Sequence, residues 1–455
     1  MANFATTYLT VSSCQNYILY SQFRNCQLLN TKHSMLDRTK APDFQVIKDH
    51  KLPKINTQKL KNGIHFHQLI TKNQPVLGFQ IAFEAGKCQE NKVEEGTFMA
   101  KLLLEGTKNH TAKQIADKIA FYGASISVDS GNDFTIVSFY TLGKHLEKLL
   151  PVLKEVLQEP TFPQSELDNL KNRSVQNLKI QEEKTAYLAT AKFKKELFKE
   201  NHPYSNYLTE ENIRAIQRQD LIDFYETHIK SNPFEAYLVG DIDGHSEKLI
   251  TDFIESFEVD TTKKEKPLLE NPTNSVTKIY EEIEGSVQTS IRIGRLLFNQ
   301  KHPDYAAFKV LNTILGGYFG SRLMQNIRED KGYTYGISSR NIAMKNGSYF
   351  VIGTDVKKEV YQDAVNEIYK EIEKLKNEPV SEDELENVKN YMSGNFLGSL
   401  STAFAVMDKM QDIHLYNLDE NYYNDYVTKL RKVTVEDVQK VAKKYLVDFT
   451  EVCIG

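Results

Sequence analysis

The sequence predicts an α+β protein of two homologous halves, each a mainly antiparallel sheet flanked by helices, the halves facing each other across a central chamber. Three observations lead there. First, the chain repeats itself: Glu159-Pro160 leads into Glu166-Leu-Asp-Asn-Leu-Lys-Asn172, and Glu378-Pro379 leads into Glu384-Leu-Glu-Asn-Val-Lys-Asn390. A second pair keeps the register, because Ile216–Asp220 running to Val239-Gly240 is answered by Val433–Asp437 running to Ile454-Gly455. Glu384 lies 218 residues after Glu166, and Asp437 lies 217 after Asp220. A near-constant offset over separated landmarks marks a duplicated domain rather than a solenoid of short repeats. Second, 455 residues exceed what one hydrophobic core usually supports. Third, strands are grouped with helices without strict β-α-β alternation, which points to α+β.

Punctuation is regular from Lys54 onward. Asn62-Gly63 is a tight-turn dipeptide before the β run Ile64–Ile70, and Val76–Ala85 is a second run, so the two read as a hairpin. Glu95–Leu104 is helical by the apolar spacing of Phe98, Leu102 and Leu103, and Gly106-Thr107 ends it. A helix from Thr111, a strand pair around Ala124–Leu142 and a helix Lys144–Leu157 follow. Pro160 and Pro163 introduce a long helix from Gln164 to about Glu183, then come helices Thr185–Phe198 and from Asp220, and a strand Phe234–Val239. In the second half the expected elements are strand Ser286–Leu296, helix Tyr305–Leu315, strands near Tyr333–Arg340 and Gly347–Thr354, and helices from Val360, Glu382 and Glu436. The predicted domains are therefore an extension over 1–53, a first domain over 54–259, a charged linker over 260–274 interrupted twice by proline, and a second domain over 275–455. The first 34 residues contain no acidic residue and only Arg24 and Lys32 as fixed cations. That is too Arg-poor for a mitochondrial transit peptide, so a disordered stretch or a true start at Met35 is expected.

Composition excludes several classes. A net charge of −4 gives no electrostatic case for nucleic acid. No run approaches the ~20 apolar residues of a membrane helix. Cys14, Cys26, Cys88 and Cys453 form no C-x-x-C pair, so neither a disulfide framework nor a thiolate zinc site is indicated, and a reducing compartment is expected. Among eleven histidines the one close pair is His65 and His67, on one face of a strand. With no third ligand legible, it reads as a solvent-facing pair near a turn. There is no Gly-x-Ser-x-Gly elbow, and Gly316–Gly320 lacks the Lys-Ser/Thr of a phosphate loop.

Two motifs carry a resemblance. Gly96-Thr-Phe-Met-Ala-Lys-Leu-Leu-Leu-Glu-Gly-Thr107 lies early in the first half, and Gly317-Tyr-Phe-Gly-Ser-Arg-Leu-Met-Gln-Asn-Ile-Arg-Glu-Asp-Lys-Gly-Tyr-Thr-Tyr335 lies in the second. With the duplicated architecture, a chain carrying these resembles the insulinase/pitrilysin-type metallopeptidases over roughly Lys54–Gly455. That family includes the mitochondrial processing peptidase subunits and the core proteins of the respiratory bc1 complex.

The resemblance implies a zinc site that this chain departs from. Active members carry His-x-x-Glu-His on the first helix, two imidazoles chelating zinc and a Glu acting as general base. Anchored on Gly106-Thr107, those roles fall on Thr97, Ala100 and Lys101, and none can perform them. The third ligand, a Glu on the long helix, should fall within Arg173–Ile180, which holds no carboxylate. The second motif is complete. In active relatives an Arg and a Tyr seven residues apart reach the zinc and stabilise the oxyanion of the tetrahedral intermediate, and Arg328 and Tyr335 match that spacing. A packed alternative has Arg328 paired with Glu329, Asp330 or another acid and Tyr335 inside a sheet.

The resemblance thus implies a non-catalytic, chamber-forming subunit with no cofactor in this chain. It would present Arg328 and Tyr335 to a homologous zinc-bearing partner that cleaves unfolded peptides, in the cytoplasm or alternatively a mitochondrial matrix. A structural protein like the bc1 core subunits, and a self-sufficient peptidase with unrecognised ligands, are the other readings.

Overall fold

The computed structural model describes residues 39, 46–47, 50–72, 75–200, 202–205, 207–260, 262 and 272–455. The expected extension over 1–34, the Met35 start and most of the expected linker lie outside them. Residues from Ile47 to the end form one compact unit.

Among the described residues the first half has six strands, β1 (Asn56–Lys59), β2 (His65–Ile70), β3 (Val76–Phe83), β4 (Ser125–Ser130), β5 (Thr135–Leu142) and β6 (Phe234–Gly240). Its helices are α1 (Glu95–Leu102), α2 (Ala112–Phe121), α3 (Leu146–Gln158), α4 (Gln164–Glu182), α5 (Thr185–Phe198), α6 (Glu210–Ala215), α7 (Arg218–His228) and α8 (Gly244–Glu255). The strand order is β1-β2-β6-β3-β5-β4, antiparallel apart from the parallel pair β2–β6. The expected β2–β3 hairpin is therefore corrected: Asn62-Gly63 closes β1 onto β2, and β6 enters between β2 and β3. The reason lies in β6, whose residues Ala236 to Gly240 are all buried. A strand apolar on both faces belongs in the middle of a sheet, however far away in sequence it lies.

The second half repeats the plan. Strands β7 (Thr277–Glu281), β8 (Gln288–Leu296), β9 (Ile337–Ala343), β10 (Ser348–Lys357) and β11 (Thr450–Ile454) form a sheet of order β7-β11-β8-β10-β9. Helices α9 (Tyr305–Asn312), α10 (Tyr361–Asn377), α11 (Glu382–Gly398), α12 (Ala403–Leu415), α13 (Tyr426–Arg431) and α14 (Val435–Tyr445) accompany it. In both halves the C-terminal strand of the repeat, β6 or β11, occupies an interior position.

Each sheet buries one face under its own helices and the other under a helix lent by the opposite half. On β8, Ile291 and Ile293 enter the second half's core, whereas Ser290, Arg292, Gly294 and Leu296 meet α5 of the first half. Thr185 Oγ1 lies 2.9 Å from Ser290 Oγ, and Arg292 Nε donates to Thr190 Oγ1 at 3.1 Å. On β6, Phe234, Ala236 and Leu238 enter the first core, whereas Tyr237 and Val239 pack with Val406, Met407 and Leu415, where α12 crosses. This is the period-2 alternation of a strand, with a different partner for each face. A glycine admits an aromatic ring on each side: a Cβ on Gly78 would stand 2.8 Å from the Phe404 ring, and one on Gly294 would stand 2.9 Å from the Phe193 ring. Polar contacts stitch the seam further, with Lys345 Nζ 2.6 Å from Glu84 Oε1 and the Lys345 amide donating to Asp133 at 3.0 Å.

Candidate functional site

Thr97, Ala100 and Lys101 all lie on α1. The helix is anchored from its N-terminus, where the Glu90 carboxylate accepts from the amides of Glu94 at 2.9 Å and Gly96 at 3.1 Å. Burial pushes the Glu90 carboxyl up to about 7, against the pull of those two amides. Phe98, Met99, Ala100 and Leu102 are buried in the first core, Thr97 is half-buried and Lys101 is exposed. The methyl of Ala100, 2 % exposed, stands where the resemblance puts a general base. A hydroxyl, a methyl and an ammonium do not fit a zinc ion. On the facing helix α4, the Arg173–Ile180 segment buries Val175 and Leu178 and offers no carboxylate. Among the described residues no group of three His, Cys, Asp or Glu side chains is placed to hold a metal ion.

The His65–His67 pair differs from its expectation. His67 is buried, not solvent-facing, and both rings bond Glu235, His67 Nε2 at 2.9 Å and His65 Nδ1 at 3.1 Å. An ionised carboxylate only accepts, so His67 Nε2 and His65 Nδ1 both donate to it, and His67 Nδ1 lies 2.9 Å from Thr57 Oγ1. His414 of α12 stacks on His67 with centroids 3.8 Å apart, and burial pushes its pKa down to about 4. The pair is a fixture of the seam between the halves.

Arg328 and Tyr335 are brought together. Arg328 sits in a π-helical turn, Met324–Asp330, a wide turn that often marks functional positions. Asn326 ties that turn to α10 by donating to Glu367 at 2.9 Å and Glu371 at 2.8 Å. Gly332, at φ +64°, then reverses the chain so that the Tyr333 amide reaches back to the Ile327 carbonyl at 3.0 Å. Thr334 clips the segment to β10 through the Asp355 carbonyl at 2.8 Å. Tyr335 follows, outside β9, with its side chain 97 % exposed. The Arg328 Nε donates to the Tyr335 carbonyl at 3.1 Å, and the guanidinium lies 4.6 Å above the Phe319 ring, itself exposed. Its nearest carboxylate, Glu329, is 3.8 Å away. The packed alternative holds in one half and not in the other: Arg328 does pair with Glu329, at 3.8 Å, whereas Tyr335 lies outside the sheet. A guanidinium and a phenol, donors that need no deprotonation, thus stand on adjoining segments, the guanidinium partly covered and the phenol exposed. Among the described residues no hydrogen bond or ion pair links them to Thr97, Ala100 or Lys101.

Sequence reasoning missed α12 and the exchange of helices. One signal was available: Thr185-Ala186-Tyr187 opens α5, and Thr402-Ala403-Phe404 recurs 217 residues later at the start of α12.

The family model described as insulinase (peptidase family M16) matches residues 69–208, and that described as the peptidase M16 inactive domain matches 215–392. Together they span most of the chain, which belongs to the M16 insulinase family. The chain is 24 % identical over 377 residues to the "Non-peptidase homolog YmxG" of Helicobacter pylori, covering 81 % of this chain and 86 % of that one. It is 22 % identical over 383 residues to the beta subunit of the mitochondrial-processing peptidase of Bos taurus, covering 80 % and 76 %. The fold matches the crystal structure of a peptidase M16 inactive domain from Pseudomonas fluorescens with a TM-score of 0.80 at 23 % identity, over 89 % of this chain and 98 % of that one. No helix among the described residues is long and apolar enough to cross a membrane.

Proposed function

We propose that this chain is the non-catalytic subunit of a heteromeric zinc peptidase. In this reading it closes a substrate chamber and presents Arg328 and Tyr335 to the active site of a homologous, zinc-bearing partner that cleaves unfolded peptides. The observation that carries the reading is the exposure of Tyr335 beside a guanidinium held in place by the Tyr335 carbonyl and the Phe319 ring. An aromatic side chain displayed in this way has no packing role in the isolated chain, while the zinc positions of the same chain are occupied by groups that cannot coordinate. Relatedness to a peptidase known as a subunit supports a partner of the same family, and the reading places the pair in the cytoplasm, with a mitochondrial matrix as the alternative.

The test is reconstitution with a co-purifying chain that carries an intact His-x-x-Glu-His. Tyr335→Phe, which removes one oxygen and almost no volume, should leave the complex assembled and lower its turnover ~10²–10³-fold, the effect of losing one oxyanion donor. Substrate affinity should move less, because the contact is made mainly in the transition state. Unchanged turnover in the fully assembled variant complex rejects the role of this tyrosine.

A further inference from the structure

We propose that the second half carries a ligand pocket for a carboxylate joined to an aromatic or branched apolar group, between α9 and the segment Leu418–Leu430, with Lys309 as the anion anchor. The cavity there measures about 310 Å³, with Tyr305 and Lys309 on one wall and Leu418, Tyr422 and Tyr426 on the other. That volume lies at the lower end of the range of small-ligand sites. Lys309 sets its chemistry. Its ammonium lies 4.7 Å from the Tyr426 ring centroid and 5.9 Å from that of Tyr305, and among the described residues it makes no ion pair. Two other covered lysines are matched, Lys345 with Glu84 at 2.6 Å and Lys389 with Glu386 at 2.9 Å.

Ring faces attract a cation but accept few of its hydrogen bonds, so the three N–H groups of Lys309 remain available to an anion. Lys301, exposed at the mouth, adds a second cation without an ion pair among the described residues. Lys429 on the lining is already near Asp425, at 3.7 Å. The carboxylate on the lining, Asp419, is exposed and accepts from the Asn421 amide at 2.8 Å. Tyrosine rings, Ala306, Leu418 and Leu430 would cover an apolar body while Lys309 holds the charged end. A free aromatic acid and the C-terminus of a peptide share this chemistry.

Isothermal titration of the full-length chain with N-acetyl-phenylalanine, its amide, and a pentapeptide ending in phenylalanine with a free carboxylate tests the proposal. The acid should bind about 10–100-fold more tightly than the amide, the span expected for one charge-assisted contact. Lys309→Met should abolish that preference, and Lys309→Arg should retain most of it. A pentapeptide binding more tightly than the acid identifies a peptide C-terminus as the source, and equal or weaker binding identifies a free acid. Equal binding of acid and amide to the wild-type chain, absence of binding of both acids, or a preference that persists in a folded Lys309→Met chain overturns the proposal. The acid–amide comparison on the wild-type chain decides the matter even where the variant fails to fold.

Discussion

The helix α1 and the Arg328–Tyr335 turn invite comparison, because the family resemblance assigns chemistry to positions in both and the fold covers them to different degrees. On α1 two of the three positions have been drawn into the fold, Ala100 into the core and Thr97 half-covered, while Lys101 stays exposed. In the turn Tyr335 is kept outside and Arg328 partly so, while the segment behind them is tied down, Asn326 to α10, Thr334 to β10 and Gly332 in a left-handed turn. A site that only has to pack can lose its polar atoms without loss of stability. A site that presents donors elsewhere needs a rigid base and an uncovered tip.

Four measurements can break or sharpen that contrast, from the largest expected effect to the smallest. In the complex with a zinc-bearing chain, Arg328→Ala should slow turnover ~10²–10³-fold, as a lost oxyanion donor does. Because Arg328 also holds the Tyr335 carbonyl, the two should act as a unit, so Arg328→Ala with Tyr335→Phe should be little slower than either alone. Fully multiplicative losses in steady-state kinetics would show two independent groups instead.

Rebuilding the zinc motif by Thr97→His, Ala100→Glu and Lys101→His should fail twice. A carboxylate at the buried Ala100 position should cost about 2–4 kcal/mol in urea unfolding, since it enters the first core without a partner. Peptidase activity should stay absent, because Arg173–Ile180 supplies no third ligand. One tightly held zinc per chain together with robust cleavage would show that another residue completes the site.

Glu90 makes the α1 region sensitive to pH. Its carboxyl is raised from 4.5 to about 7 in the folded chain, so the native state holds the proton more tightly than the unfolded state. The stability linked to this group is therefore present below pH 4.5 and is lost as pH rises toward 7. Glu90→Gln should remove this pH dependence, on the order of 2 kcal/mol between pH 4.5 and pH 8 after allowance for partial exposure, on top of a pH-independent loss from the one backbone amide that its NH2 group cannot accept. Unfolding curves at the two pH values check this, and an equal shift at both would assign the effect to packing.

The smallest effect is the most diagnostic. Tyr335→Ala should change the stability of the isolated chain by no more than ~0.5 kcal/mol, as expected where a side chain touches little. A loss several times larger in thermal or urea melts would mean that Tyr335 has a structural role after all.

By itself the sequence determined the duplication, through landmarks held 217–218 residues apart, and the identity of most helices, through 3.6-residue periodicity and start signals such as Thr111. It also determined which chemical groups stand at the zinc positions, because that is a matter of composition at a known spacing. The order of strands was decided only in three dimensions. Two apolar faces on β6 say that the strand is covered on both sides, but not by what, and its neighbour β2 lies nearly the whole first half away in the chain. The same holds for α5 and α12, whose apolar sides gave no sign that each covers the other half's sheet, and for His67, which a period-2 pattern left at the surface until His414 closed over it. Periodicity reports how a segment divides into faces. Only the tertiary structure supplies the partner for each face, and with it the burial that separates the packed α1 positions from the uncovered Tyr335.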